Sequence, residues 1–100
     1  MKLIAFEKEI PGVTDKQFTE ELLRKEAVRA WEFHQAGIIR ELYFRADKEE
    51  AVLVLECKDT DEARLILNTL PLVQAKLIDF DIIPLKAYPG FARLFESNKK

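Results

Sequence analysis

The sequence is poor in cysteine, histidine and long apolar runs, and each shortage excludes a class of protein. Cys57 is the single cysteine in 100 residues, so it has no intramolecular disulfide partner, and we interpret it as a buried strand thiol. The single histidine, His34, lacks a second imidazole for a typical metal cluster, so no metal is expected. No apolar run approaches the ~20 residues of a membrane span, and no signal peptide is recognisable, which predicts a cytoplasmic protein without a membrane partner.

The sequence also lacks a large excess of either positive or negative charge. The 16 basic and 18 acidic residues are interspersed and leave a net charge of −2. Nucleic-acid binding needs a concentrated basic surface, so no nucleic-acid partner is expected. With 48% hydrophobic residues, only three glycines and four prolines, the composition is that of a folded chain. The length predicts a single domain over residues 1–100, with a short C-terminal tail from about residue 88.

Residues 40–56 have the pattern of a β-hairpin around a charged turn at residues 46–50. The second arm, residues 51–55, is apolar at every position, whereas a strand with one wet face alternates apolar and polar side chains. Such a strand is covered on both faces. Because a chain of this length has few elements to cover a sheet twice, the sequence predicts that a second copy covers the other face.

The remaining elements follow from periodicity and from turn and capping signals. The predicted elements are strands at residues 2–7, 38–45, 51–57 and 77–86, and helices from Thr14 to about Gln35 and over residues 61–69. This βαββαβ order is the ferredoxin-like α+β fold, with both helices on one face of a four-stranded antiparallel sheet. Alternation along the second strand predicts Ile39, Glu41, Tyr43 and Arg45 on one face and Arg40, Leu42 and Phe44 on the other.

The chain resembles the muconolactone isomerase family of the dimeric α+β barrel superfamily. The matching features are Glu26 in the first helix, Gly37 at its end, the aromatic strand at residues 41–45, and residues 59–72 with their Thr-Leu-Pro-Leu ending. The resemblance implies a homodimer, with assembly into a larger ring as a further expectation. It also implies proton transfer on an unsaturated lactone that bears a carboxylate, with neither a metal nor an organic cofactor.

Proton transfer on a lactone needs a base, an acid and a cation for the carboxylate. Glu26 is the predicted base, because it lies on the broad apolar face of its helix, facing an apolar sheet, and burial raises a carboxyl pKa; the alternative is a salt bridge to a strand arginine. His34 is the second acid/base candidate, although it lies ~12 Å along the helix from Glu26 and also suits a capping or core role. Arg45 is the candidate anion anchor, with structural pairing as the alternative.

Tyr43 and Trp31 are the candidate pocket-lining aromatics, with a core role as the alternative for each. The sequence therefore predicts a cofactor-independent isomerase, or a related enzyme, acting on a small cyclic or carboxylate-bearing molecule. Two alternatives stay open on the same dimeric barrel. One is a non-catalytic small-molecule-binding or interaction module, and the other is a cofactor-free monooxygenase, which fold-level analogy alone suggests.

Overall fold

A computed structural model describes residues 1–96, and the last four residues of the predicted C-terminal tail, 97–100, lie outside them. The main elements of this part of the chain are four strands, β1 (Lys2–Glu9), β2 (Ile39–Phe44), β3 (Ala51–Glu56) and β4 (Ile78–Pro84), and three helices, α1 (Glu20–Gln35), α2 (Thr60–Leu67) and α3 (Pro71–Gln74). Short 3₁₀ turns lie at Asp15–Gln17 and Gly90–Leu94. The predicted ferredoxin-like α+β fold is confirmed.

The strands form one antiparallel sheet in the order β2-β3-β1-β4. β1 and β3 occupy the centre, where Ala5 pairs with Leu53 and Leu3 with Leu55. β4 is an edge strand that ends at Pro84, where a residue without an N–H costs the sheet no ladder hydrogen bond. Within residues 1–96, no helix is long and apolar enough to cross a membrane.

The first helix begins five residues later than the capping pattern at Thr14 predicts. Gln17 does reach back to the Thr14 N–H (2.8 Å), but this contact closes only the 3₁₀ turn at Asp15–Gln17. Thr19 supplies a second cap, because its Oγ1 accepts from the Leu22 N–H (3.2 Å), and α1 starts at Glu20. The helix ends at Gln35 before Gly37, whose φ of +80° is the left-handed conformation that glycine adopts most easily.

The strict alternation predicted along the second strand is wrong at its start. Ile39 pairs with Leu55 and Glu41 with Val54, so Arg40 is an extra residue in a β-bulge. The bulge places Ile39 on the same face as Leu42, which pairs with Leu53, and Ile39 is 1% exposed. Glu41 and Tyr43 remain on the opposite face, as predicted.

The two faces of the sheet differ in their covering. The helices cover one face, and its core includes Leu3, Leu53, Leu55 and Phe80 of the sheet together with Leu67 of α2. The opposite face carries exposed or half-buried apolar side chains on all four strands, namely Ile4, Phe6, Tyr43, Val52, Val54 and Ile83. Apolar side chains thus occupy both sides of β3, as the hairpin sequence predicts.

Candidate functional site

A mostly apolar cavity of about 260 Å³ lies between α1 and the helix-covered face of the sheet. Its walls come from α1, from the strands and from the segment that enters α3. Glu7 and Glu26 are the two ionisable residues among its lining side chains. Leu42 and Phe44 on β2 are half or more exposed beside it, so the cavity opens toward this edge of the sheet.

Glu26 reaches the cavity from the middle of α1. Its Oε1 accepts a hydrogen bond from the backbone N–H of Leu72 (2.9 Å). Leu72 lies in the first turn of α3, where helix N–H groups have no partner within the helix, and the N-cap Leu70 offers no side-chain acceptor. The contact fixes one carboxylate oxygen. Burial raises the pKa of Glu26, the Leu72 hydrogen bond partly opposes this, and the charge of Glu7 raises it further.

Glu7 reaches the same cavity from β1, and its functional potential was missed in the sequence. Its Oε1 accepts from the backbone N–H of Ala51 (2.9 Å), so this carboxylate is also held by one oxygen. Burial raises the pKa of Glu7, against the Ala51 hydrogen bond, with the charges of Glu50 and Glu9 adding to the rise. The available signal was alternation along β1, which places Glu7 on the same inward face as Leu3 and Ala5.

Within the described part of the chain, the two carboxyls have no countercharge. No ion pair formed among residues 1–96 includes Glu7 or Glu26. Two carboxylates in an apolar space disfavour each other's ionisation, so a carboxyl pair of this kind holds a proton near neutral pH more readily than an exposed acid does. The arrangement is chemically suited to taking a proton at one carboxyl while the other, in its protonated form, donates a hydrogen bond.

A second, larger cavity of about 630 Å³ adjoins the first and shares Glu7, Leu23, Phe44, Leu72 and Ile78 with it. Its remaining lining residues come mainly from the hairpin turn and from residues 9–18. We call this space the outer cavity and the 260 Å³ space the inner cavity. Together they form a path from solvent to the two carboxyls.

His34 and Trp31 line neither cavity. The His34 Nδ1 lies 3.0 Å from the carbonyl oxygen of Ile39, a hydrogen bond in which Nδ1 carries the proton. Its ring is 5.6 Å from that of Trp31, which is 58% exposed. The two residues thus form a surface pair where α1 meets β2, apart from Glu26. No observed contact connects them to the acid/base and pocket-lining roles predicted for them.

Arg45 and Tyr43 also lie outside both cavities. Arg45 makes a two-pronged contact with Asp47, at 2.8 Å from Nε and 2.6 Å from a terminal nitrogen, and approaches Glu50 at 3.6 Å. The Tyr43 hydroxyl donates to Glu41 (2.8 Å) on the uncovered face of the sheet. Among the predicted site residues, the structure places Glu26 at the cavity and separates the other four from it.

The sequence profile of the muconolactone delta-isomerase family matches residues 3–90. The chain belongs to this family. The match spans most of the chain. It includes both cavity carboxyls and α3, whose Leu72 N–H donates to Glu26. The resemblance noted in the sequence is therefore confirmed at the level of the family. No curated protein sequence matches the chain significantly.

Two solved structures have the same fold as this family member. A muconolactone isomerase is 20% identical, with a TM-score of 0.73 over 89% of this chain and 92% of that chain. The 5-chloro-2-hydroxyhydroquinone dehydrochlorinase of Burkholderia phenoliruptrix AC1100, in complex with 2,5-dihydroxybenzoquinone, is 15% identical, with a TM-score of 0.60 over 90% of this chain and 98% of that chain. At these identities the likeness concerns the fold.

Proposed function

We propose that the protein is a cofactor-independent enzyme that moves a proton around a small unsaturated ring, with Glu26 as the base and Glu7 as its acid partner. The observation that supports the proposal most is the pair of carboxyls in one apolar cavity, each held by a single backbone N–H. Membership of the muconolactone delta-isomerase family agrees with this class of reaction.

The chemistry requires no oxidant. The free oxygen of Glu26 takes a proton from a ring carbon next to a carbonyl or conjugated to it, and the C–H electron pair moves into the ring as an enolate. A protonated Glu7 donates a hydrogen bond to the developing negative oxygen, as an acid kept neutral by burial is able to do. Glu26 then returns the proton to a different ring carbon, so that the double bond has moved and the composition is unchanged.

The raised pKa of Glu26 suits the proposed role as a base. A base works best when its pKa lies near the working pH, and burial moves the pKa of Glu26 upward from its ordinary value of 4.5. The backbone hydrogen bond from Leu72 leaves the second oxygen of the carboxylate available, while fixing the direction in which it points. A carboxylate that served only to cap α3 would need neither a cavity nor a second carboxyl beside it.

Exchange of ring protons with solvent tests the proposal. The protein is incubated in D₂O with a panel of small unsaturated γ-lactones, and NMR follows deuterium entering the ring. The wild-type protein should catalyse the exchange, and Glu26→Gln should slow it by roughly 10²–10⁴-fold, the usual contribution of a general base. Glu21→Gln is the matched control, since Glu21 is exposed on the same helix.

Equal exchange rates for wild type and Glu26→Gln would remove Glu26 as the base. If no lactone in the panel exchanged faster than in buffer, while binding to the protein were still measurable, the result would favour the non-catalytic binding module.

We also infer a homodimer in which the uncovered sheet faces pack together. Its support is the apolar centre of that face, where Ile4, Phe6, Val52 and Val54 are adjacent across β1 and β3. Burial of such a surface favours self-association through the hydrophobic effect. The exposed Phe91, Leu94 and Phe95 near the end of the described residues offer a further contact between copies.

Sedimentation tests the dimer. The wild-type protein should sediment as a dimer or a multiple of it at micromolar concentration, and Val54→Asp should shift it toward the monomer, because the new carboxylate would be buried unpaired. Leu65→Asp is the control, since Leu65 is 69% exposed on the other side of the molecule. A wild-type protein that stays monomeric would refute the inference.

A further inference from the structure

We infer that the site selects an uncharged ring bearing hydrogen-bond donors and discriminates against carboxylate-bearing molecules. This inference rests on the proposed function, and it departs from the carboxylate-bearing substrate that the sequence led us to expect. Three features of the described residues carry it: the chemistry of the inner cavity, the pairing of the nearby cations and the charge of the outer cavity.

The inner cavity offers a ligand almost no polar partner except the two carboxyls. Ionised carboxylates only accept hydrogen bonds, and a protonated one donates a single bond. A ligand with a donor, such as a ring hydroxyl, is therefore favoured beside the one ligand oxygen that a protonated Glu7 contacts. A carboxylate group brought between Glu7 and Glu26 would place three acids together in an apolar space. Juxtaposed like charges weaken binding strongly.

Arg45 and Lys48, the two cations of the hairpin turn, are already paired. Arg45, the predicted anion anchor, is held by both oxygens of Asp47 and lies outside the cavity walls. Lys48 lines the outer cavity, but its ammonium pairs with Glu50 (3.3 Å), a carboxylate that is 8% exposed. Recruiting either cation to a ligand would break an existing ion pair. No other lysine or arginine of residues 1–96 lines either cavity.

The outer cavity is acidic. Glu7, Glu9, Asp15, Glu49 and Glu50 line it against the single cation of Lys48. The field of these charges reaches the inner site, because Glu9 and Glu50 both contribute to the raised pKa of Glu7. A channel lined by one sign of charge concentrates counter-ions and neutral molecules relative to co-ions. An anion therefore meets repulsion along the whole path to the carboxyls.

The volume sets the size of the ligand. A dry cavity of ~150 Å³ is enough to hold benzene, and the inner cavity measures about 260 Å³. One substituted five- or six-membered ring fits, and larger fused ring systems would extend into the outer cavity. The inferred ligand class is therefore a single ring with one or more hydroxyl groups and without a formal negative charge.

Binding of matched probes tests this inference without requiring turnover. Calorimetry at neutral pH and low salt compares 3-hydroxybenzoate with 3-hydroxybenzamide, and a carboxymethyl-substituted butenolide with its primary amide. Within each pair the amide lacks the negative charge of the acid and adds N–H donors, and the inferred site favours both differences. The amides should bind at least about tenfold more tightly than the acids, and added salt should narrow the gap because it screens the outer charges. Acids that bind as tightly as the amides, or a failure of both amides to bind, would overturn the inference.

A charge-neutralised variant tests whether the acidic residues of the outer cavity weaken the binding of acids. The double variant Glu9→Gln/Glu49→Gln should bind the acids about threefold or more tightly than the wild type, while affinity for the amides changes less than twofold. Glu20→Gln/Glu21→Gln is the matched control, because it removes the same charge from exposed residues of α1 that line neither cavity. Equal gains in the two double variants would show a general effect of net charge and refute the role of the outer cavity.

The binding experiments test the ligand class, and the exchange experiment separately tests the catalytic role of Glu26. If the amides bind preferentially but Glu26→Gln exchanges ring protons as fast as the wild type, the ligand class stands and the catalytic role of Glu26 falls. If the acids bind preferentially and Glu26→Gln is inactive, the catalytic role stands and the ligand class falls.

Discussion

Glu26 has a structural role and a chemical role, and substitution by alanine or by glutamine distinguishes them. In the structural role, its Oε1 accepts a hydrogen bond from the Leu72 N–H in the first turn of α3. In the chemical role, its carboxyl ionises and takes a proton. Glu26→Ala removes the acceptor and leaves a helix N–H unpaired, whereas Glu26→Gln keeps an oxygen at the same position without the charge. The two variants should therefore have opposite effects on stability and similar effects on proton transfer.

The magnitude follows from the contact. Loss of a side-chain acceptor at a helix N-terminus costs about 0.5–2 kcal/mol, and removal of a desolvated carboxylate offsets part of that cost. Glu26→Ala should lower the free energy of unfolding by about 1 kcal/mol, or a fall in Tm of roughly 4–8 °C for a domain of this size. Glu26→Gln should match the wild type or exceed it at neutral pH, because the half-buried side chain is no longer charged.

The pH dependence has a definite sign. The pKa of Glu26 in the folded protein lies above its ordinary value of 4.5, so between these two pH values the native state holds more protons than the unfolded state. Stability from this group is complete below pH 4.5 and is lost as pH rises through the folded pKa. Glu26→Gln should flatten the fall, and the similar contribution of Glu7 should remain.

Thermal unfolding of the three proteins from pH 4 to 8, at one fixed protein concentration because association shifts Tm, provides the test. A Gln variant as unstable as the Ala variant at every pH would show that the charge itself stabilises the contact with Leu72. That result would refute the description of Glu26 as a desolvated carboxyl poised to take a proton.

Three further predictions concern the scaffold. Leu67→Ala should cost about 2–5 kcal/mol in denaturant unfolding, because Leu67 is fully buried, whereas Leu65→Ala at an exposed position should change stability by no more than about 0.5 kcal/mol; equal effects would contradict the packing of α2. Gly37→Ala should cost about 1 kcal/mol, since φ is +80° there, and an unchanged midpoint would argue against this helix ending. Burial raises the pKa of Cys57, with nearby acids adding to the rise, so a thiol reagent should label it more slowly in the native protein than in the unfolded one; equal labelling rates would place it at the surface.

The fold was predictable because its signals are local. Strand alternation, the Gly37 stop and the all-apolar second arm of the hairpin each involve neighbours in sequence, and together they specify the βαββαβ order. The errors arose where local signals compete. Thr14 and Thr19 are both good helix caps, and Thr14 opens only the 3₁₀ turn while Thr19 opens α1. The bulge at Arg40 depends on pairing with β3, which alternation within β2 does not encode.

The candidate site was predictable only in part, because long-range contacts build it. Glu26 stood out as an acid on an apolar helix face, but its partner Leu72 is 46 residues away. Glu7 was missed because its inward direction matters only once Ala51, 44 residues away, holds it beside Glu26. Structural pairing was the alternative weighed for Arg45, and the hairpin turn supplies its partner, Asp47, locally.

Titration of the two side-chain carboxyls by ¹³C NMR tests the central claim most directly, namely that one apolar cavity couples Glu7 to Glu26. Glu7→Gln and Glu26→Gln assign the two resonances and remove one partner at a time. Both carboxyls should titrate above 4.5, and Glu26 should titrate at lower pH when Glu7 is replaced by glutamine, because the charge that raises the pKa of Glu26 is gone. Two carboxyls that titrate at or below 4.5, with Glu26 indifferent to the replacement of Glu7, would contradict the claim.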